Sequence, residues 1–241
     1  IERAKKAGCS ALMLTLDLQL MGQRHKDIKN GLSAPPRIKT LSTMIDLALK
    51  PSWCFGMLQT KRRSFRNVVG HVDGVSDLSS LSAWVGEAFD LKFTWDDIAE
   101  IKDLWGGKLI LKGVLDPEDA EKAIKCGADA LIVSNHGGRQ LDGAPSSISM
   151  LPEIIRVVGN NTSVWVDGGI RSGQDILKAI ALGAEGTLIG RPYLYGLGAL
   201  GEAGVTKCLQ IIQKELDISM ALCGHTNINN VTKDIILSMS V

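Results

Sequence analysis

With 241 residues, 45% of them hydrophobic and 22% charged, the chain has the composition of a globular protein and the length for one large core. Its 27 Lys and Arg against 26 Asp and Glu leave a net charge of +1, so there is no general attraction to a polyanion, and nucleic acid is not expected as a partner. The five cysteines, Cys9, Cys54, Cys126, Cys208 and Cys223, form no C-x-x-C pair, which argues against a disulfide framework or a metal site and for core thiols in a reducing, cytoplasmic setting. No apolar run reaches the roughly 18 residues of a membrane helix, and IERAKKAG contains no signal-peptide core.

In chain order, IERAKKAG reads as the back half of a helix and ALMLTLD (11 to 17) as a strand buried on both faces and ending in an acid. FTWDDIAEIKDLW (93 to 105) is helical and leads to the strand KLILKGV (108 to 114). In DPEDAEKAIKCG, Asp116 caps a helix, Pro117 takes its first position and Gly127 ends it. ALIVSN (130 to 135) precedes the helical SISMLPEIIRVVG, SVWVDGG (163 to 169) precedes SGQDILKAIALG, and GTLIGR (186 to 191) precedes a long helix around 203 to 223. Five strands alternating with amphipathic helices mean parallel βαβ units, in a doubly wound sheet or a barrel.

The polar residues choose the barrel. Asp17, Lys112, Asn135 with His136, Asp167 and Arg191 sit at the carboxyl ends of successive strands, whereas a doubly wound sheet gathers such groups at one switch point. The expected fold is therefore an α/β (β/α)8 TIM barrel represented by about five C-terminal β/α units, the other three strands lying upstream of Ile1. Residues 1 to 241 form one partial-barrel domain, interrupted at about 18 to 92 by a long insertion. That insertion holds Arg24, His25, Lys26, Lys29, Arg37 and Lys39, a helical IDLALK, and WCFGMLQTKRRSFRNVV; an excursion of this length points to function.

SNHGGRQLDG (134 to 143) concentrates chemistry at one strand end. His136 follows a buried strand among glycines that admit close approach of a ligand, which marks a candidate base. Asp17 fits either a carboxylate partner for that imidazole or a helix cap. Arg139 and Arg24 suit a substrate carboxylate, or are solvated loop charges. Lys112, inside an apolar strand, needs an anion or an electron-rich ligand unless it extends to the rim. VDGGIRSG (166 to 173) and LIGRP (188 to 192) place glycines and arginines before helix starts, the pattern of a phosphate site late in a barrel. GLGALG (196 to 201) satisfies a dinucleotide pattern with Asp217 beyond it, but it does not directly follow a strand and is read as a loop and helix start.

Together, SNHGGRQLDG, the LTLD strand followed by Gly22 and Arg24, LKGVLDPEDA, VDGGIRSG and IGRP resemble the FMN-dependent α-hydroxy acid dehydrogenase and oxidase family over nearly the whole chain. SNHGGRQLDG is the most specific of these; the phosphate turns are shared more widely among flavin barrels. The resemblance implies FMN as cofactor and no metal. It implies that His136 takes a proton from the 2-hydroxy acid while Asp17 stabilises the imidazolium, and that Arg24 and Arg139 hold the carboxylate. Lys112 would face the flavin and stabilise its reduced ring. Thr15 and Ser134 would contact the flavin, and Asp167, Gly168, Gly169, Arg171, Gly190 and Arg191 would bind ribityl and phosphate.

Family members carry upstream strands with further flavin contacts and two substrate-facing tyrosines that are not in this chain. An open five-strand arc is thus expected to fold poorly alone and to turn over no substrate. ALKPSWCFGML and LDPEDA look most like bacterial respiratory L-lactate dehydrogenases, with mandelate dehydrogenases next. This implies L-lactate oxidation to pyruvate, with electrons passing to a quinone or other carrier, and a tetramer. Trp53, Phe55, Met57 and Leu58 beside Lys61, Arg62, Arg63 and Arg66 suit peripheral contact through about 42 to 66 with the inner face of the plasma membrane, or equally a mobile active-site lid. A soluble oxidase handing electrons to O2, with lactate or glycolate as substrate, shares the same residues; a noncatalytic remnant is the alternative of another class. A relative of inosinate dehydrogenase is disfavoured because no cysteine follows LIVSN.

Overall fold

The computed structural model describes residues 1–20, 22–30, 41–60, 65–76, 80, 81, 84 and 89–237, without the side chains of 42 and 43. The chain divides into two compact units, one of Ile1–Leu18 with Lys92–Val241 and the other of Gln19–Leu91. The first unit begins with α1 (Glu2–Lys6) and β1 (Ala11–Thr15) and resumes with α5 (Trp95–Trp105) and β2 (Lys108–Val114). Then follow α6 (Pro117–Lys125), β3 (Ala130–Val133), α7 (Ser147–Val158), β4 (Ser163–Asp167), α8 (Gly173–Ala181), β5 (Gly186–Leu188) and α9 (Arg191–Leu222). The second unit carries α2 (His25–Lys29), α3 (Leu41–Ala48) and α4 (Pro51–Gln59).

All strand pairings are parallel, and the sheet order β1-β2-β3-β4-β5 follows the chain. A doubly wound sheet would reverse its order at a switch point; sequential order with a helix in each crossover is an arc of a (β/α) barrel. The helices start where their sequences direct. Thr94 with Asp97 and Ser172 with Asp175 form capping boxes on α5 and α8, while Asp116 accepts from the Glu118 N–H at the start of α6 with Pro117 at the first position. Leu109, Leu111, Leu131, Val133, Val164 and Val166 are buried beneath the helices, with Leu151, Ile154 and Val158 of α7 in the same core. Burying each such side chain contributes about 1.5–3 kcal/mol before ordering costs. At the amino ends of the strands, Asp129 accepts from Lys102 Nζ at 2.6 Å, Lys108 Nζ at 2.7 Å and the Leu109 N–H at 2.9 Å.

Several boundaries differ from those expected. β1 is not buried on both faces: it is an edge strand, and Met13 is 46% exposed. Trp165, on the same inner face of the arc in β4, is 41% exposed. β3 stops at Val133 and β5 at Leu188, shorter than the apolar runs, because the chain turns there to build the strand-end loops. A helical segment already begins at Arg191, so GLGALG is helical up to the break at Leu200 and not a loop, and the segment beyond that break is the long helix expected around 203 to 223. The run is broken at Leu200 and Gly201, where Gly201 adopts φ +61°, and the two segments touch through Gly196 and Gly204, whose backbones leave no room for a Cβ. Close helix contact thus accounts for those glycines.

Candidate active site

The carboxyl ends of the strands in the first unit bring together groups from all parts of its sequence. Asp17 lies two residues beyond β1, and its Oδ1 is 3.0 Å from Nδ1 of His136, which enters a single 3-10 turn after β3. A carboxylate oxygen accepts from an Nδ1–H, and in the neutral imidazole that tautomer leaves Nε2 as the nitrogen with a lone pair. Asp17 therefore serves His136 and not a helix cap. Its other oxygen, Oδ2, is buried with no hydrogen-bond partner among the described residues.

Beside this pair, Lys112 of β2 resolves the cost of a cation in an apolar strand. Its Nζ lies 2.7 Å from Asp167 Oδ2 at the end of β4 and donates to Ser134 Oγ at 3.0 Å. Asp167 Oδ1 is buried with no hydrogen-bond partner among the described residues. Thr15, the last residue of β1, pairs in register with Lys112. Ser134 is 1% exposed and also accepts from the His136 N–H at 3.0 Å.

Lys112, His136 and Asp167, with Arg139, Arg171 and Arg191 among others, line a cavity of about 490 Å³, within the size range of small-molecule sites, while Asp17 lies outside its lining. Gly168 (φ +90°) and Gly169 (φ +83°) turn the chain after β4 and line the cavity, as does Gly190, which caps α9. A Cβ on Gly168 would lie 3.0 Å from Ser147 Oγ. Arg191 donates to the Gly137 carbonyl at 3.1 Å, tying the start of α9 to the histidine loop. Thr15 and Ser134 lie outside the cavity lining. Arg24 belongs to the second unit, where it is the residue before α2.

The structure adds residues that the sequence did not single out. Gly113, at φ +97°, is the irregular position where the β2–β3 register shifts between Lys112 and Val114. A Cβ there would meet Asp17 Cγ at 2.6 Å and its N at 2.9 Å, so only glycine lets Asp17 lie against β2 on its way to His136. The one available signal was a glycine inside a strand pattern. Ser147 is the other addition, and it braces the loop through Asn135, already marked at the strand end: Ser147 Oγ accepts from the Asn135 N–H at 3.2 Å, and Asn135 Oδ1 from the Gly138 N–H at 3.1 Å.

In the second unit, α3 and α4 leave large apolar side chains exposed, including Met44, Ile45, Trp53, Phe55, Met57 and Leu58. Arg66 is described, whereas Arg37, Lys39, Lys61, Arg62 and Arg63 lie outside the described residues. Among the described residues there is no helix long and apolar enough to cross a membrane and no cluster of potential metal ligands.

The model of FMN-dependent dehydrogenases matches residues 1–238. The L-lactate dehydrogenase of Actinobacillus pleuropneumoniae serotype 5b (strain L20) is 40% identical over 241 residues, 100% of this chain and 63% of that protein. The L-lactate dehydrogenase of Caulobacter vibrioides (strain NA1000 / CB15N) is 42% identical over 238 residues, 98% of this chain and 61% of that one. Among solved structures, a monotopic membrane protein, (S)-mandelate dehydrogenase, superposes with a TM-score of 0.91 at 35% identity, covering 99% of this chain and 62% of its own. A mandelate oxidase superposes with a TM-score of 0.70 at 34% identity, covering 96% and 56%. The chain thus spans less than two thirds of the length of these relatives.

Proposed function

We propose, for a chain that belongs to the FMN-dependent dehydrogenase family, that it carries the catalytic strand ends of an enzyme oxidising a small L-2-hydroxy acid, L-lactate to pyruvate, with electrons passed on to a quinone or similar carrier. The observation that carries this reading is the pairing of His136 with Asp17 at 3.0 Å beside the pairing of Lys112 with Asp167 at 2.7 Å. A base and a cation, each held by its own carboxylate, face one cavity.

The residues fit FMN. The bare oxygen of Asp167 can accept from a ribityl hydroxyl, and Gly168, Gly169, Arg171, Gly190 and Arg191 supply backbone N–H groups and guanidinium charge for a phosphate at helix starts. Bound FMN supplies the two-electron acceptor that no side chain can provide. The free Nε2 of His136 takes the hydroxyl proton of the substrate, and Asp17 holds the imidazolium that results. Arg139, on the cavity wall, pairs with the carboxylate, and Lys112 fixes positive charge where negative charge accumulates on reduction.

Lactate as substrate rests on the two L-lactate dehydrogenase relatives; mandelate is the second reading, favoured by the close superposition on (S)-mandelate dehydrogenase. The exposed apolar residues of α3 and α4, and a structural neighbour described as monotopic, support peripheral attachment to a membrane through this segment. Anaerobic turnover of L-lactate, mandelate and glycolate by the FMN-loaded native polypeptide containing these residues, with a soluble quinone analogue, tests the proposal, with oxygen uptake measured in parallel. Quinone reduction by lactate without oxygen uptake supports it. Oxygen uptake alone would favour an oxidase, and no turnover of any of the three acids would overturn the reading.

A further inference from the structure

We infer that Ser134 is a positioning residue whose hydroxyl locks the base and the cation of this site into one geometry. The inference rests on the function proposed above for the same site, but its structural part stands without it. Ser134 lies behind the two residues it serves: it is 1% exposed and outside the cavity lining, whereas Lys112 and His136 both line the cavity. Its Oγ accepts from Lys112 Nζ at 3.0 Å and from the His136 N–H at 3.0 Å. A hydroxyl oxygen has two lone pairs, so these two donors fill its accepting capacity and leave one proton to donate.

The second bond matters because of where His136 sits. At φ +55°, His136 is the one non-glycine residue with positive φ among the described residues, a conformation that side chains adopt only when their surroundings impose it. The backbone N–H of Ser134 is itself fixed, donating to the Val114 carbonyl at 3.2 Å just past the irregularity at Gly113. Ser134 is therefore anchored on β2, and its side chain turns the next-but-one residue into the left-handed conformation that aims the imidazole at Asp17. The same oxygen sets one of the two bonds of the Lys112 ammonium, the other being to Asp167. Without it, the His136 N–H loses its partner, the histidine relaxes away from positive φ, and Lys112 swings toward Asp167 alone.

The test uses Ser134→Ala and Ser134→Thr in the longest native polypeptide containing these residues, loaded with FMN, and reads three quantities. Ser134→Ala is expected to slow flavin reduction at saturating hydroxy acid by about 30-fold or more, the scale of a misplaced catalytic group, with substrate affinity changed less than about threefold. Ser134→Thr, which keeps the hydroxyl, is expected to recover most of the rate. In flavin-free protein, the hydrogen-bonded Nδ1 proton resonance of His136 is expected to move or broaden in the Ala variant and to return with Thr. A rate within about twofold of wild type in Ser134→Ala would overturn the inference. So would equal losses in both variants that follow thermal stability, the mark of a packing role. If wild-type flavin is reduced by no hydroxy acid, the proposed function fails; the His136 resonance then decides, and an unchanged signal in Ser134→Ala overturns the inference.

Discussion

Replacing Gly113 by alanine tests whether the Asp17–His136 pair depends on the shape of β2. At φ +97° an alanine is strained whatever the space around it, at a cost of about 1–3 kcal/mol. Its Cβ would also fall 2.6 Å from Asp17 Cγ and 2.8 Å from Asp17 Cβ, against a carbon contact distance of about 3.5–4.0 Å. Asp17 must retreat by about 1 Å, which carries a 3.0 Å hydrogen bond past the limit at which it still acts. The expected result is a fall in flavin reduction of about 100-fold, since a catalytic group displaced by an ångström loses that order of rate. Melting temperature should fall by roughly 2–10 °C on the strain alone. Gly106→Ala separates the two effects, because Gly106 shares a positive φ (+66°) and its Cβ would meet only Asp103 O, at 3.9 Å. That variant should lose stability and keep the reduction rate of its FMN-loaded protein. A Gly113→Ala protein that reduces its flavin at the wild-type rate would refute the reasoning, because it would show that Asp17 can serve His136 from another position.

Other consequences concern stability and reactivity. Desolvation works against the charge on Asp129, but hydrogen bonds from Lys102, Lys108 and the Leu109 N–H outweigh it and hold the carboxyl well below the usual carboxylate range. Asp129→Asn should therefore destabilise the fold by about 1–3 kcal/mol at neutral pH, toward the low end because Lys108 is largely exposed. A depressed folded-state value means that this advantage over the variant is present above about pH 4, and disappears as pH falls through the folded-state value; denaturation at pH 7, 4 and below checks the sign. Gly173→Ala should cost about 1–3 kcal/mol or more, since its Cβ would strike Leu216 N and Ile212 O where α8 meets α9, and hydrogen exchange in α9 should rise. Burial raises the pKa of the Cys126 thiol, and nearby Asp96 raises it further, so Cys126 should react with a thiol reagent more slowly than the exposed Cys9 and Cys223.

The sequence displays what local chemistry dictates. Alternating apolar runs and capped helices marked five βα units, and Asp17, Lys112, His136 and Asp167 stood out because each ends a strand. Contacts that depend on two distant backbones were not legible. Gly113 looks like an ordinary strand glycine until Asp17 is seen against it, and Gly196, part of a run that imitates a nucleotide motif, packs against Gly204 and brings two helical segments together. The resemblance implies a flavin contact for Ser134, whereas its bonds to Lys112 and His136, and its burial outside the cavity lining, are visible only in the structure. The helical segment from Arg191 was not legible because the glycines at 196, 198 and 201 read as loop; packing tolerates the first two in a helix, whereas Gly201 does break the run.

The central claim is that His136, held by Asp17, is the base of a flavin-dependent hydroxy acid oxidation. Its most direct test is anaerobic reduction by L-lactate of the FMN-loaded native polypeptide containing these residues, followed at the flavin absorbance, in wild type and His136→Gln. Rapid bleaching that the substitution slows by about 100-fold or more is the predicted result. Bleaching at the same rate in both proteins, or none with lactate, mandelate or glycolate, would contradict it.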